Sequence, residues 1–137
     1  MTSRYAFIIL FALLILISCG DEDEECMTST DLISTVWVAQ FTVLNGQQVD
    51  APNDVTLTFA NEISFGLDLE INSCGGTVDL NGNSVNITEI FCTEACCDSD
   101  FSNDLVFFLS TATEIKVDCD GLTFSDGDNL AHFESEM

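Results

Sequence analysis

Seven cysteines carry the most predictable chemistry in this 137-residue chain. Thiolates bind soft metal ions, and thiols that meet in an oxidising compartment form disulfides. Six of the seven form an even set that suits pairing: Cys26, Cys74, Cys92, Cys96, Cys97 and Cys119. Sequence cannot distinguish the fifteen connectivities that six cysteines allow. Because vicinal bridges are strained, we expect Cys96 and Cys97 to bond different members of this set.

A metal site is the alternative use of these residues. Thiolate and imidazole ligands are available from Cys74, Cys92, Cys96, Cys97, Cys119 and His132. Zinc sites favour paired C-x-x-C spacing, which is absent here, and the same absence argues against a thioredoxin-like redox centre. Disulfides are therefore the prediction.

Two acidic turns offer the hard oxygen ligands that calcium prefers. Asp118 and Asp120 lie in the first turn, and Asp126 and Asp128 lie in the second. Their spacing departs from that of an EF-hand loop, and Asp-Gly pairs are ordinary turn chemistry. These four residues are weak calcium candidates, and we predict neither a metal nor a cofactor.

His132, the only histidine, is the candidate general base of an enzyme. A general base needs a nucleophile and an orienting acid within reach, and no Gly-x-Ser-x-Gly or comparable element occurs. Trp37 could stack on a sugar ring, but a tryptophan at the start of a strand is more typical of a core. The sequence therefore predicts no catalytic residue and a non-enzymatic protein.

The seventh cysteine, Cys19, ends an apolar leader. Arg4 is followed by an apolar run from Tyr5 to Ile17, whose 13 residues are too few for a spanning helix of about 20. The ending Leu16-Ile17-Ser18-Cys19 resembles the lipobox of bacterial lipoproteins, in which the cysteine sulfur is acylated and becomes the mature N-terminus. We predict a signal peptide over residues 1–18 and lipidation of Cys19.

Five consecutive acidic residues follow at positions 21–25. Such a run is typical of a solvated, self-repelling tether, which we place over residues 19–30. An acidic tract directly behind a lipidated cysteine also resembles the surface-export signal of Bacteroidetes lipoproteins. The expected location is therefore the outer membrane, with exposure at the cell surface.

The 119 residues that follow the predicted signal peptide suit one domain. They hold all 24 acidic residues and one basic residue, Lys116, which gives a formal net charge of −23. A polyanion without basic patches lacks the electrostatic attraction that dominates binding to phosphate backbones. We therefore exclude nucleic acid as a partner and expect the membrane to be contacted through the lipid anchor.

Short β-branched and aromatic segments separated by turn residues predict seven or eight strands. These cover residues 36–43, 55–59, 62–72, 77–80, 84–87, 114–119, 122–125 and 130–134, with Cys74-Gly75-Gly76 as a break. In the third segment, strict alternation places five apolar residues on one core-facing side: Ile63, Phe65, Leu67, Leu69 and Ile71.

One segment changes to helical spacing. Phe101, Leu105, Phe108 and Leu109 follow the pattern i, i+4, i+7, i+8, which predicts a helix from about Ser99 to Ser110. Many short strands with one helix indicate a closed or nearly closed antiparallel barrel, or a sandwich. The fold class is mostly β: a small antiparallel, barrel-like sheet of seven to eight strands packed with one α-helix.

Several landmarks together resemble the META-domain family of HslJ-like lipoproteins. They are Thr35-Val36-Trp37, Asn45-Gly46, Val55-Thr56-Leu57-Thr58-Phe59, Asn72-Ser73-Cys74-Gly75-Gly76, Ile90-Phe91-Cys92 and the helix before Glu114-Ile115-Lys116-Val117. The resemblance implies a META-like domain over residues 31–137, an envelope location, no catalytic residues, and a disulfide between Cys74 and Cys92. The usual Cys-Asn and Gly-x-Tyr-like elements of the family are missing.

The resemblance favours a binding or envelope-maintenance module whose protein or small-molecule partner is unknown. A lipocalin-like lipoprotein that binds a small apolar ligand is the alternative, since lipocalins also begin with a strand that carries a tryptophan. That alternative predicts an internal cavity lined by Phe and Leu. A weakly calcium-binding surface module is a further alternative.

Overall fold

Nine antiparallel strands and one α-helix form the described part of the chain. The computed structural model describes residues 26–28, 31–52, 54–95 and 97–136. The predicted signal peptide, Cys19, most of the acidic tether and Cys96 lie outside these residues. The elements are β1 (Val36–Leu44), β2 (Gln47–Asp50), β3 (Thr56–Asn61), β4 (Ser64–Asp68), β5 (Ser73–Asn81), β6 (Ser84–Cys92), α1 (Asp100–Leu109), β7 (Glu114–Asp118), β8 (Gly121–Ser125) and β9 (Leu130–Ser135).

The strands form a single sheet that closes into a ring. Its order is β2-β1-β3-β4-β5-β6-β7-β8-β9, and an additional pairing of β1 with β9 joins the two sides. β2 pairs with the second half of β1 and stays outside the ring. The predicted antiparallel, barrel-like sheet with one helix is confirmed, with nine strands rather than seven or eight.

Within the ring, the pairing between β6 and β7 is the shortest. The two strands share one register pair, Ser84 with Glu114, before they diverge. The chain between them carries α1, whose inner face adds four apolar side chains to the core: Phe101, Leu105, Phe108 and Leu109. The segment that joins β6 to β7 therefore contributes to the core through the helix.

Connections between successive antiparallel strands alternate between two ends of the ring. The segment before β1 and the β3–β4, β5–β6 and β7–β8 turns lie at one end, called here the N-terminal end. The β1–β2, β4–β5 and β8–β9 turns and the segment with α1 lie at the other, called here the helix end. The two ends therefore lie on opposite sides of the packed interior.

The interior of the ring is filled by its own side chains. Trp37, Phe59, Phe124 and Phe133 are all at most 2% exposed. The rings of Phe124 and Phe133 meet edge to face with centroids 5.9 Å apart. Such packing supplies most of the hydrophobic stabilisation of a small domain. It occupies the space in which a lipocalin-like protein would hold its ligand.

The helix lies where helical spacing predicts it. Ser99 is the N-cap and accepts a hydrogen bond from the Ser102 backbone N–H at 3.3 Å, and Ser110 is the C-cap. An N-cap hydroxyl satisfies one of the backbone donors that have no partner in the first turn.

The strand that raises the count to nine, β2, has no hydrophobic signal. All four of its residues are exposed. It forms because Asn45 and Gly46 adopt positive φ angles of 53° and 76°, which fold the chain directly back onto β1.

Gly75 and Gly76 do not break the sheet as predicted. Both lie within β5, and a Cβ atom on Gly76 would lie 1.9 Å from the Glu89 carbonyl oxygen and 2.9 Å from the Phe65 ring. Glycine at position 76 therefore allows a close approach of backbone and ring rather than a turn.

The prediction of a five-residue apolar face is wrong for two of its residues. Phe65, Leu67 and Leu69 are buried, but Ile63 is 67% exposed and Ile71 is 53% exposed. β4 spans only Ser64–Asp68, so both isoleucines lie in the turns that flank it. Alternation continues in the sequence beyond the point where the strand ends.

Candidate functional site

Two disulfides join cysteines of the described chain: Cys26 with Cys119, and Cys74 with Cys92. The second is the pairing that the family resemblance implies, and it links register partners on β5 and β6. Both bridges use the four cysteines outside the adjacent pair, so the expectation that Cys96 and Cys97 each bond one of those four is wrong. Cys97 is exposed in the loop before α1.

The Cys26–Cys119 bridge fixes where the N-terminal segment joins the domain. Cys119 directly follows β7, in the β7–β8 turn at the N-terminal end. The next residue after Cys26, Met27, packs against the core, and the Trp37 indole N–H donates to the Leu32 carbonyl oxygen at 3.3 Å. The chain therefore reaches the ring at the end opposite α1.

The start of α1 is held by the β4–β5 turn. The hydroxyl of Ser102, a fully buried residue, donates to the Glu70 carboxylate. Partial burial raises the pKa of Glu70, but hydrogen bonds from Ser102 and Ser99 outweigh it and hold that pKa below its ordinary value. A carboxylate at a helix N-terminus also interacts favourably with the helix dipole.

A second polar cluster, around buried Asn72, fixes the loop before α1. The Asn72 side-chain amide donates to Asp98 Oδ2 and to the Ala95 carbonyl oxygen, both at 2.6 Å. Its Oδ1 accepts from the Thr93 hydroxyl at 2.8 Å and from the Ala95 N–H at 2.9 Å. All polar groups of this side chain are satisfied, which is typical of a structural cluster rather than a reactive site.

Asp98 makes this cluster sensitive to acid. Its pKa lies below the ordinary value of 3.8, chiefly through the Asn72 amide; slight desolvation opposes the shift, and the Ile71 and Asn72 backbone N–H groups add to it. A lowered pKa in the folded state stabilises the fold above pH 3.8 and ceases to do so as the pH falls through the folded value. We expect Asp98→Asn to lower the urea midpoint at neutral pH.

The difference in urea midpoint between Asp98→Asn and the wild type should narrow as the pH falls below 3.8, because the wild-type carboxyl then becomes protonated and loses its charge. Urea titrations monitored by circular dichroism at neutral and acidic pH measure it. Asp79→Asn, on an exposed position of β5, is the control and should leave both midpoints unchanged. If Asp98→Asn lowered the urea midpoint by the same amount at both pH values, the electrostatic explanation would be contradicted.

A groove opens at the helix end, between the β1–β2 hairpin, the second half of α1 and the β8–β9 turn. Its volume is about 510 Å³, and it is called here the helix-end groove. The Asn45 N–H donates to Asn129 Oδ1 at 2.7 Å and ties the two turns together. The lining residues are Leu44, Asn45, Gln47, Val49, Asp104, Phe107, Phe108, Thr111, Asp126 and Asn129.

A second cleft, of about 730 Å³, lies outside the packed interior. Leu32, Ile33, Leu80 and Val117 supply apolar surface, and Lys116 lines it as well. Lys116 forms an ion pair with Asp118, which raises the pKa of the lysine and lowers that of the aspartate. No phenylalanine lines the cleft, in contrast to the Phe-lined and Leu-lined cavity that a lipocalin-like reading predicts.

The four weak calcium candidates do not converge. Asp118 and Asp120 lie at one end of β8, and Asp126 and Asp128 lie at the other. Each pair is occupied locally, since Asp118 accepts from the Asp120 N–H and Asp126 accepts from the Asp128 N–H. Within the described residues, no three His, Cys, Asp or Glu side chains are placed to hold a metal ion.

His132 and Trp37 have ordinary structural surroundings. The Nδ1 atom of His132 lies 3.0 Å from the Thr123 hydroxyl, and its ring lies 5.2 Å from that of Phe41. Trp37 is fully buried, which confirms its predicted place in the core. Val49 and Phe107, which no motif identified, are the exposed apolar residues of the helix-end groove. The only signal for Phe107 is its position off the apolar face of the helix.

The fold and the site define a disulfide-linked, nine-stranded antiparallel sheet that closes into a ring, with one packed helix and an acidic groove at the helix end. A family model of the META domain matches residues 30–137, and the chain belongs to the META domain family. No curated protein matches it. In the described residues, no helix is long and apolar enough to cross a membrane.

Two solved structures share this fold. A protein from Burkholderia xenovorans, determined by NMR, has a TM-score of 0.61 and 14% identity, over 79% of this chain and 86% of that one. The crystal structure of a DUF4847 family protein from Bacteroides vulgatus has a TM-score of 0.58 and 16% identity, over 77% of this chain and 94% of that one. At these identities the likeness concerns the fold alone.

Proposed function

We propose that this META domain protein is a lipid-anchored, non-enzymatic module of the bacterial outer membrane, exposed at the cell surface, that binds a partner at its helix end. The observation that carries the proposal is the Cys26–Cys119 disulfide. It fixes the incoming chain at the N-terminal end, seven residues after Cys19. Seven residues span at most about 25 Å when fully extended.

An anchor at Cys19 therefore limits how far the N-terminal end can lie from the membrane. The N-terminal end is held close to the membrane, and the helix end, with its groove, is directed away from it. The five acidic residues that follow Cys19 carry charge that anionic headgroups repel. The chain itself carries no basic patch that would bind anionic headgroups.

The non-enzymatic part of the proposal is supported by the surroundings of the candidate base. Nδ1 of His132 lies 3.0 Å from the Thr123 hydroxyl and the ring packs against Phe41, but no carboxylate of the described residues forms a hydrogen bond or ion pair with it; Asp118 acts on it only over a longer distance. Catalysis by a histidine needs a nucleophile and an orienting acid in reach of the ring. The described polar clusters around Glu70 and Asn72 instead connect secondary-structure elements.

Acylation is tested with Cys19→Ser in cells labelled with palmitate. We expect the wild-type protein to be labelled and to sediment with membranes, because two or three acyl chains hold a protein stably on a bilayer. Cys19→Ser should lose both properties, whereas Cys97→Ser, the control, should keep them. Label that persists in Cys19→Ser, or a mature N-terminus at another residue, would contradict the proposal.

Exposure at the cell surface is tested separately by adding protease to intact cells. The wild-type domain should be released into the medium, and a periplasmic control protein should stay intact. A variant with the acidic residues 21–25 replaced by serine should remain acylated but become protected from the protease. If the wild type and the serine variant are released equally, the acidic tract is not an export signal. The proposed lipid anchor would not be affected by that result.

A further inference from the structure

The helix-end groove combines exposed apolar surface with negative charge. Phe107 is 73% exposed and Val49 is 41% exposed, and both line the groove beside the partly buried Leu44. Exposed apolar residues that form a contiguous patch mark interaction sites more often than scattered ones do. The groove can therefore accept an apolar side chain.

The charge at the groove is of one sign. Asp104 and Asp126 line it, and no Lys, Arg or His is among the lining residues. Hydrogen bonds from the Asn129 side chain and then from its backbone N–H hold the pKa of Asp126 below its ordinary value, so this carboxylate stays ionised in mildly acidic surroundings. Lys116, the one lysine of the described residues, lies elsewhere and is paired with Asp118. A cationic partner meets no opposing charge here.

A free strand edge borders the groove. β2 is the terminal strand of the sheet and pairs on one side with β1; no other strand of the described chain pairs with it. Gln47 and Val49 of β2 both line the groove. An extended peptide that lies along such an edge gains backbone hydrogen bonds while its alternate side chains enter the adjacent groove.

We propose that the helix-end groove binds an extended polypeptide segment in which apolar side chains alternate with Lys or Arg. Every second side chain, an apolar one, enters the groove and contacts Phe107 and Val49. The basic side chains between them are long and flexible, so their charged ends reach back to Asp104, which is exposed, and to Asp126. A second copy of the chain is the wrong occupant, because two chains of net charge −22 repel each other. Anionic lipid is disfavoured for the same reason. This inference rests on the proposed binding role but not on acylation of Cys19.

A defined probe tests the groove: a 12-residue peptide of alternating Lys and Leu, titrated calorimetrically into the full-length protein. If the protein is acylated, it is held in nanodiscs of zwitterionic lipid; if it is not, it is titrated in buffer, so a failed anchor does not confound the result. We expect binding that weakens with salt. The same peptide with Glu in place of Lys should not bind.

Two double variants decide whether binding is local. Phe107→Ser with Asp104→Asn should weaken binding at least about tenfold, since a few central aromatic residues dominate interface energies. Phe91→Ser with Asp79→Asn is the matched control, because Phe91 is 68% exposed on β6 and does not line the groove. The control should stay within about twofold of the wild type.

Several results would overturn the inference. They are no binding of the Lys peptide, equal weakening by both double variants, and equal binding of the Glu peptide. Sedimentation equilibrium adds a further one. If the wild-type protein self-associates and the groove variant does not, the groove is an interface between copies rather than a site for a basic segment.

Discussion

Replacing both Cys26 and Cys119 with serine should lower the free energy of unfolding by about 4–5 kcal/mol. The two residues are 93 positions apart, so their bond closes a loop around nearly the whole domain. In the chain-entropy description, a cross-link stabilises by removing conformations from the unfolded state, and the effect grows with loop length. Cys74 and Cys92 are 18 positions apart, so their double serine variant should lose only about 3 kcal/mol.

Urea denaturation of the two double variants and the wild type, monitored by tryptophan fluorescence, measures this ranking. Trp37 is a suitable reporter because it is fully buried and bonded to the Leu32 carbonyl. A larger loss for the Cys74–Cys92 variant would contradict the entropic explanation. It would show instead that the shorter bridge stabilises the folded sheet directly, since Cys74 is only 6% exposed.

The sequence predicts the parts of this fold that depend on local patterns. The helix follows from the spacing of Phe101, Leu105 and Phe108, and both of its ends lie within a residue of the predicted ones. β1 and its turn follow from a β-branched run that stops at Asn45-Gly46. In each case, side-chain periodicity and turn chemistry act within a few residues, so one segment of sequence contains the information.

Features that depend on distant segments could not be predicted in this way. β2 is fully exposed and is held by its register with β1, which no pattern within Gln47–Asp50 reveals. The Cys26–Cys119 pairing depends on the N-terminal segment crossing to the β7–β8 turn. The helix-end groove is likewise assembled from three separate segments, so Phe107 could be placed off the apolar face of the helix but not beside Val49.

Under the proposed function, the two ends of the ring have different roles: one joins the anchor and the other binds the partner. The N-terminal end carries the covalent link to the incoming chain, and the helix end carries the groove. The polar clusters at Glu70 and Asn72 hold the start of α1, while the bond between Asn45 and Asn129 holds the turns beside its end. The groove is therefore built on elements that are fixed on both sides, which lowers the entropic cost of binding a flexible segment.

Gly76→Ala should destabilise the domain by about 3 kcal/mol or more, because overpacking against fixed backbone cannot be relieved by a side-chain rotation. The added Cβ atom would lie 1.9 Å from the Glu89 carbonyl oxygen on β6 and 2.9 Å from the Phe65 ring. Moving β6 away would disturb the pairing of Thr77 with Glu89. The measurement is again the urea midpoint, together with the yield of folded protein.

Gly75→Ala is a matched control on the neighbouring residue of the same strand. Its Cβ atom would meet nothing closer than the Phe65 carbonyl oxygen at 3.4 Å, an ordinary contact. Alanine also reduces the conformational freedom of the unfolded chain, so we expect a change within about 1 kcal/mol of the wild type. Similar losses in both variants would mean that this part of β5 needs glycine for backbone flexibility rather than for the close approach of β6 and Phe65.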